Sequence, residues 1–196
     1  MNPFDLIRLQ ITLEYDLDKA GRLVPFPGST EQGLYIVYRY PGGYIPYFNQ
    51  CLPEALCERL RNLGGEQAFE APQAVVWLMQ RYLPCHFEGR FVSVYLPRLP
   101  EPGEFRQVVK QDEQFVVLDG DKPVCRAWSE RSNALCAEVA VEAQADHRRK
   151  GYARQAVTAW AYDVISSGRV ALYSYKAENH PSQALAHSLG AVWYAE

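Results

Sequence analysis

The sequence predicts an α+β fold, a mixed α/β chain with a central, mostly antiparallel sheet and flanking helices. Three observations point there. Residues 115–129 hold two apolar runs joined by Asp119-Gly120-Asp121-Lys122, and an Asp-Gly pair between such runs is a strong hairpin signal. Residues 135–175 run strand, helix, strand, with the apolar spacing changing from strand-like to helical and back. Residues 1–100 mix helical and strand patterns and form an N-terminal α+β region before that sheet.

Taken in order, residues 4–14 fit a helix because Phe4, Ile7 and Ile11 share a face, and residues 35–40 read as a strand. Residues 53–63 and 72–83 read as helices, the second with Val75, Val76, Leu78, Met79 and Leu83 giving a broad apolar face. Residues 91–96 form another strand. The segment 97–103, with three prolines, is the expected joint between a region 1–100 and a region 101–196. After it come the strands 115–118 and 124–129, a polar turn around residues 131–133, and the apolar strand 135–141. Ala153, Ala156, Val157, Trp160, Ala161, Val164 and Ile165 then recur at helical spacing. A turn over 166–169 leads to a strand over 170–175. Asn179 suits a helix cap, Pro181 the first turn after it, and Gly190 the position just past its end.

The composition excludes several classes. At 196 residues with 48% hydrophobic and 22% charged content, the chain is long enough to bury a substantial core and is ordinary globular protein. A net charge of -3 and a pI near 5.8 argue against a general nucleic-acid or anionic-membrane surface. Cys51, Cys57, Cys85, Cys125 and Cys136 show no metal-ligand or disulfide spacing, so no metal site is expected. With no signal peptide and no apolar run long enough to span a membrane, the expected home is the reducing cytoplasm. No repeat or low-complexity tract interrupts the chain. Tyr35, Tyr38, Tyr40, Tyr44 and Tyr47 cluster in the N-terminal region, where strand packing explains them most simply; such an edge would equally line a pocket or support a homodimer.

The chemistry concentrates at Arg148-Arg149-Lys150-Gly151-Tyr152-Ala153-Arg154. A strand delivers the chain, a glycine permits close backbone approach to an anion, and the following helix start offers unpaired N–H donors and partial positive charge. Four cationic side chains surround that point. The combination describes a pyrophosphate cradle.

This segment resembles the acetyl-CoA signature of the GNAT superfamily of N-acetyltransferases, Gln/Arg-x-x-Gly-x-Gly/Ala, here Arg148-x-x-Gly151-x-Ala153. A second element is also similar: Asn179-His180-Pro181-Ser182, then Ala184-Leu185 and Leu189-Gly190. Together the two cover roughly residues 105–196. The resemblance implies an acyl-CoA N-acyltransferase-like fold and acetyl-CoA as co-substrate. It implies that the backbone of Val141 and Ala143 holds the pantetheine arm and thioester carbonyl. Arg149, Lys150, Gly151, Tyr152, Ala153 and Arg154 would hold the pyrophosphate through main-chain N–H groups, with Arg148 at the position where the family has Gln or Arg. Asn179 and Ser182 would meet the cofactor from the next helix.

The implied reaction is acyl transfer from a thioester to an amine acceptor, a small molecule or a protein or peptide amine. An amine of lysine-like pKa, about 10.4, is almost wholly protonated at neutral pH, so the site must help remove a proton. It must also stabilise an oxyanion. Where some relatives carry a general-base glutamate and a general-acid tyrosine, this chain has Ser174 and Ala186, which cannot do those jobs. Glu138 and Glu142, on one face of the strand 135–141 and its continuation, are the candidate replacements, with Glu138 one residue out of phase unless a bulge intervenes. The departure leaves room for a CoA-binding regulatory module without turnover. A third reading, acetylation of aminoacyl-tRNA, would need the basic patch to serve RNA as well, with steep salt dependence, and the overall charge disfavours it.

Overall fold

The computed structural model describes residues 1–29, 33–105 and 107–196. The chain divides into two compact units, one of residues Met1–Arg90 with Tyr194–Glu196 and one of residues Phe91–Trp193.

In the first unit, α1 (Pro3–Ile11) starts at Asn2, whose side chain accepts from the Asp5 N–H at 2.9 Å, and it buries Leu6, Ile7, Gln10 and Ile11. Phe4, expected on that face, lies in the first turn and stays 44% exposed. Two short strands, β1 (Tyr15–Leu17) and β2 (Leu23–Pro25), pair antiparallel. The predicted strand is β3 (Tyr35–Tyr40), and it folds back onto β4 (Gly43–Phe48) through Pro41-Gly42, with Tyr40 opposite Gly43. The sequence hid β4 because its Gly and Pro residues read as loop.

Helices α2 (Glu54–Leu63), α3 (Gly65–Glu70) and α4 (Pro72–Met79) follow. Phe48, Leu52, Leu56, Leu60, Ala68 and Met79 share the buried cluster they enclose. α4 ends before the predicted Leu83 because the N–H groups of Tyr82 and Leu83 both turn back to the Met79 carbonyl, at 2.8 and 3.1 Å.

The second unit is built on one sheet. Its strands are β5 (Phe91–Tyr95), β6 (Val108–Gln111), β7 (Gln114–Asp119), β8 (Lys122–Ser132), β9 (Cys136–Ala143), β10 (Val170–Lys176) and β11 (Val192–Ala195), in which the chain passes back to the first unit. The spatial order is β11-β5-β10-β9-β8-β7-β6. Pairing is antiparallel from β6 to β9 and between β5 and β10, and parallel between β9 and β10.

The Asp-Gly signal is realised as the β7–β8 hairpin, closed by Asp119 opposite Lys122. β5, which the sequence placed before the proline-rich joint, pairs with β10 from Tyr95↔Leu172 to Phe91↔Lys176 and so belongs to this sheet. The polar turn expected at 131–133 comes later, because Arg131 and Ser132 still pair with Glu138 and Ala137 after a register shift between Ser129 and Arg131.

Helix α5 (Tyr152–Ser166) covers one face of the sheet. Its predicted stripe is the one buried: Ala156, Val157, Trp160, Ala161 and Val164 lie in one cluster with Ala137 and Val139 of β9 and Tyr173 of β10. Trp160 is 1% exposed and its indole N–H donates to the Ser129 hydroxyl at 2.9 Å, so the largest core side chain also satisfies its polar atom. Helix α6 (His180–Ser188) completes the unit.

Candidate active site

The site is set by where two parallel strands stop pairing. β9 and β10 are in register at Val170↔Cys136, Ala171↔Ala137 and Leu172↔Glu138, and not beyond. Yet β9 continues to Ala143 and β10 to Lys176. β8 pairs one edge of β9 all the way to Cys125↔Ala143, so among the described residues the main chain of residues 139–143 is paired along that edge and not along the edge toward β10. The β10 side opens into a slot whose vertex is Glu138 and Leu172. At about 3.3 Å per residue its β9 wall is about 16 Å long, comparable with an extended pantetheine arm. Val141 and Ala143 stand half-buried on that wall.

The wall leads into the basic turn. A 3-10 turn, Ala145–His147, follows β9, and Gly151 caps α5 in the left-handed region at φ 82°. Arg149 is also left-handed, at φ 61°, so two of three consecutive residues turn their N–H groups the way an anion-binding nest does. No side chain caps α5. Among the described residues, no main-chain carbonyl accepts from the N–H groups of residues 149–154. Uncapped donors at a helix start carry partial positive charge, and Arg148, Arg149, Lys150 and Arg154 surround them, all exposed. Tyr152 and Ala153 form the half-buried first turn. The donor set fits a pyrophosphate.

On the far side, Asn179 caps α6 by accepting from the Ser182 N–H at 3.2 Å. That capping fixes Ser182 in the first turn beside the Tyr173 hydroxyl. Tyr173 is 4% exposed, its hydroxyl is buried, and among the described residues it meets no hydrogen-bonding partner. Burial pushes its pKa up, partly offset by the neighbouring Ser182 hydroxyl.

The two candidate glutamates share the sheet face opposite α5, as strand alternation requires, but their settings differ. Glu142 lies on the surface with its side chain 62% exposed, paired with Arg126 at 2.7 Å directly across on β8. Glu138 has a side chain 4% exposed, at the vertex of the slot. Arg131 donates to one carboxylate oxygen at 3.1 Å and the Ser174 hydroxyl donates to the other. The bulge invoked to bring Glu138 into phase lies on β8 rather than β9, and its effect is to set Arg131 opposite Glu138. Sequence reasoning treated Ser174 as a loss and did not find Arg131 or Tyr173. Strand alternation on β10 carried the signal for both faces, Ser174 toward Glu138 and Tyr173 toward the helices.

Residues 111–193 match the family model of the GNAT acetyltransferase. No curated protein matches the chain. Solved structures with some similarity to this chain include a GNAT-family protein from Novosphingobium aromaticivorans, 16% identical with a TM-score of 0.46, covering 54% of this chain and 60% of its own. This chain therefore spans less than two thirds of that protein's length. A GCN5-related N-acetyltransferase-like protein from Streptococcus suis is 12% identical, with a TM-score of 0.45 over 87% of this chain and 85% of its own. An acetyltransferase of the GNAT family from Colwellia psychrerythraea is 10% identical, with a TM-score of 0.48 over 100% of this chain and 95% of its own. The segment that matches the GNAT acetyltransferase model, residues 111–193, is the one that holds the parting strands and the uncapped basic helix start.

Proposed function

We propose that this chain transfers an acetyl group from acetyl-CoA to the nitrogen of an amine acceptor, a small molecule or a protein or peptide amine. The observation that carries this reading is the slot between β9 and β10 with the basic turn 148–151 at its mouth. Bound there, acetyl-CoA would supply an activated acyl group as a thioester. The residues on this chain would do the rest. The N–H groups of residues 149–154 and the four cations hold the pyrophosphate, and the main chain at Val141 and Ala143 orients the arm and offers donors to the developing oxyanion.

The proton of the acceptor amine needs a route. Glu138 is buried, with Arg131 on one oxygen and Ser174 on the other, and the half-buried Ser174, which already donates to it, offers an amine a route to the carboxylate. Ser174 accepts from the amine as it gives its own proton to Glu138, and Arg131 holds the carboxylate in place. Glu142, exposed and paired with Arg126, has no part in this route. Orientation along the slot supplies a further share of the rate.

Calorimetry with CoA and acetyl-CoA tests the reading: micromolar binding supports it and no heat at millimolar ligand ends it. Thiol release accelerated by members of a broad amine panel then separates turnover from a CoA-binding module that regulates without catalysis.

A further inference from the structure

Ser174 and Glu138 stand on the sheet face opposite α5, so an acceptor meets the slot from that face. Beyond the last paired residues, Glu138 and Leu172, alternation returns to it at Glu142 on the β9 wall and at Ser174 and Lys176 on the β10 wall. Glu142 and Lys176 each lie four residues past the vertex, at one height on opposite walls. In an unbroken ladder they would be neighbours and would pair. The parting of the strands sends them elsewhere. Glu142 pairs with Arg126 of β8 at 2.7 Å. Lys176 is exposed, rests over Phe91 with its Nζ 6.0 Å from the ring centroid, and among the described residues has no carboxylate partner. Glu138 is taken up by Arg131, and Glu130, one strand further from the slot, accepts from the Trp128 indole N–H at 2.9 Å. The carboxylates of the β9 wall are therefore matched by arginines of β8, while the ammonium of the β10 wall is unmatched. Such a rim disfavours a polycation and favours an anionic group.

We propose that the acceptor is a free α-amino acid, its amine delivered to Ser174 and its carboxylate held by Lys176. This rests on the acetyl-transfer reading above. Ser174 and Lys176 are two residues apart on one face of β10, which is about 6.6 Å at about 3.3 Å per residue. In an α-amino acid the nitrogen and the nearer carboxylate oxygen are about 3 Å apart, and a hydrogen bond of about 2.9 Å at each end lets the molecule bridge up to about 9 Å. The spacing of the two side chains, with the flexible stem of a lysine, falls inside that reach. A lysine side chain of a peptide, or a polyamine, carries no carboxylate near its nitrogen and leaves Lys176 facing hydrocarbon or a second cation. With the amine neutral and the carboxylate so held, the C–N bond forms as the C–S bond of acetyl-CoA breaks. The amine proton passes by way of Ser174 to Glu138, and the electron pair leaves on sulfur, which takes its proton from water. The products are an N-acetyl amino acid and CoA. Lys176 touches no reacting atom; it selects the acceptor and sets its nitrogen at Ser174.

The test follows thiol release from acetyl-CoA by the full-length protein with the common α-amino acids, their α-carboxamides, spermidine, and a lysine-containing peptide blocked at its N-terminus. The proposal expects at least one amino acid to exceed its own amide by about tenfold or more in kcat/KM. Lys176→Met should raise KM for that amino acid by about tenfold or more with kcat little changed. The same variant should leave the constants for the amide and the calorimetric affinity for CoA where they are in the parent, and Lys176→Arg should recover most of the loss. A merely structural role would move the amide and CoA as well, so an equal rise in KM for amino acid and amide overturns the proposal. Amides used as readily as the acids, or a preference for spermidine or the peptide, also overturn it; that comparison needs no variant and decides the matter if Lys176→Met fails to fold. If no amine of any kind speeds thiol release, the acetyl-transfer reading fails and takes the amino-acid acceptor with it. If only amines without a carboxylate speed it, the transfer stands and the amino-acid acceptor alone falls.

Discussion

Glu138 illustrates how much a single buried carboxylate depends on its two partners. Its oxygens are divided between Arg131 and Ser174, so replacing either Glu138 or Ser174 breaks the same proton route. Glu138→Gln is expected to lower kcat for acetyl transfer by about 100-fold while leaving the affinity for CoA near that of the parent. Ser174→Ala should fall comparably, and the double variant should be no slower than the worse single one, since both act on one route. Independent, multiplying losses in steady-state kinetics would remove the relay. At the cradle the controlling property is backbone conformation. Gly151 holds φ 82°, and a Cβ there would meet nothing within 4 Å, so Gly151→Ala pays a purely conformational cost. That cost is about 1–2 kcal/mol, visible as a lower urea midpoint, with a loss of CoA affinity of about tenfold or more as the N–H groups turn away.

At the scale of elements, α6 is a short helix whose start depends on one side chain. Asn179→Ala deletes the bond to the Ser182 N–H and should destabilise the chain by about 1 kcal/mol in urea unfolding. The same change frees the first turn that sets Ser182 beside Tyr173, so the loss should be larger for CoA-bound than for free protein. The elements also explain what was legible beforehand. The hairpin at Asp119-Gly120, the stripe from Ala156 to Val164 and the capped helix after Asn179 announce themselves because each is a local pattern of turn chemistry or periodicity. The slot does not, because it is an absence of pairing between strands that adjoin in space and are separated by a helix in sequence. For the same reason Arg131 escaped notice: only the register shift on β8 sets it opposite Glu138. In the first unit, β4 was lost to its own glycine and proline, while Phe4 followed the helical count but not the burial.

For the whole molecule, charge is local, and the carboxyl held down most strongly, Glu104, lies beside Arg154 of the basic helix start. Arg98 donates to Glu104 at 2.9 Å and the Glu101 N–H donates to its other oxygen at 2.9 Å, which together hold the carboxyl down from 4.5 to about 2. A carboxylate whose pKa is depressed on folding contributes stability above its unfolded value and loses it as pH falls through the folded one. Stability measured by thermal unfolding should therefore drop between about pH 4.5 and about pH 2, with Glu104→Gln flattening that part of the profile. The effect should be modest because the pair is partly exposed and screened.

The path of the chain adds one more constraint. Tyr194–Glu196 belong to the first unit, where the main chain of Glu196 exchanges both hydrogen bonds with Arg39, its carboxylate meets the Arg39 guanidinium, and the Tyr194 hydroxyl donates to Gln10 at 2.7 Å. During translation, then, the portion made first waits for residues made after all of β5 to α6 before its last ladder can close. A ribosome-bound nascent chain halted short of Tyr194 should leave that portion unfinished, its Gln10 amide and Arg39 backbone still facing water.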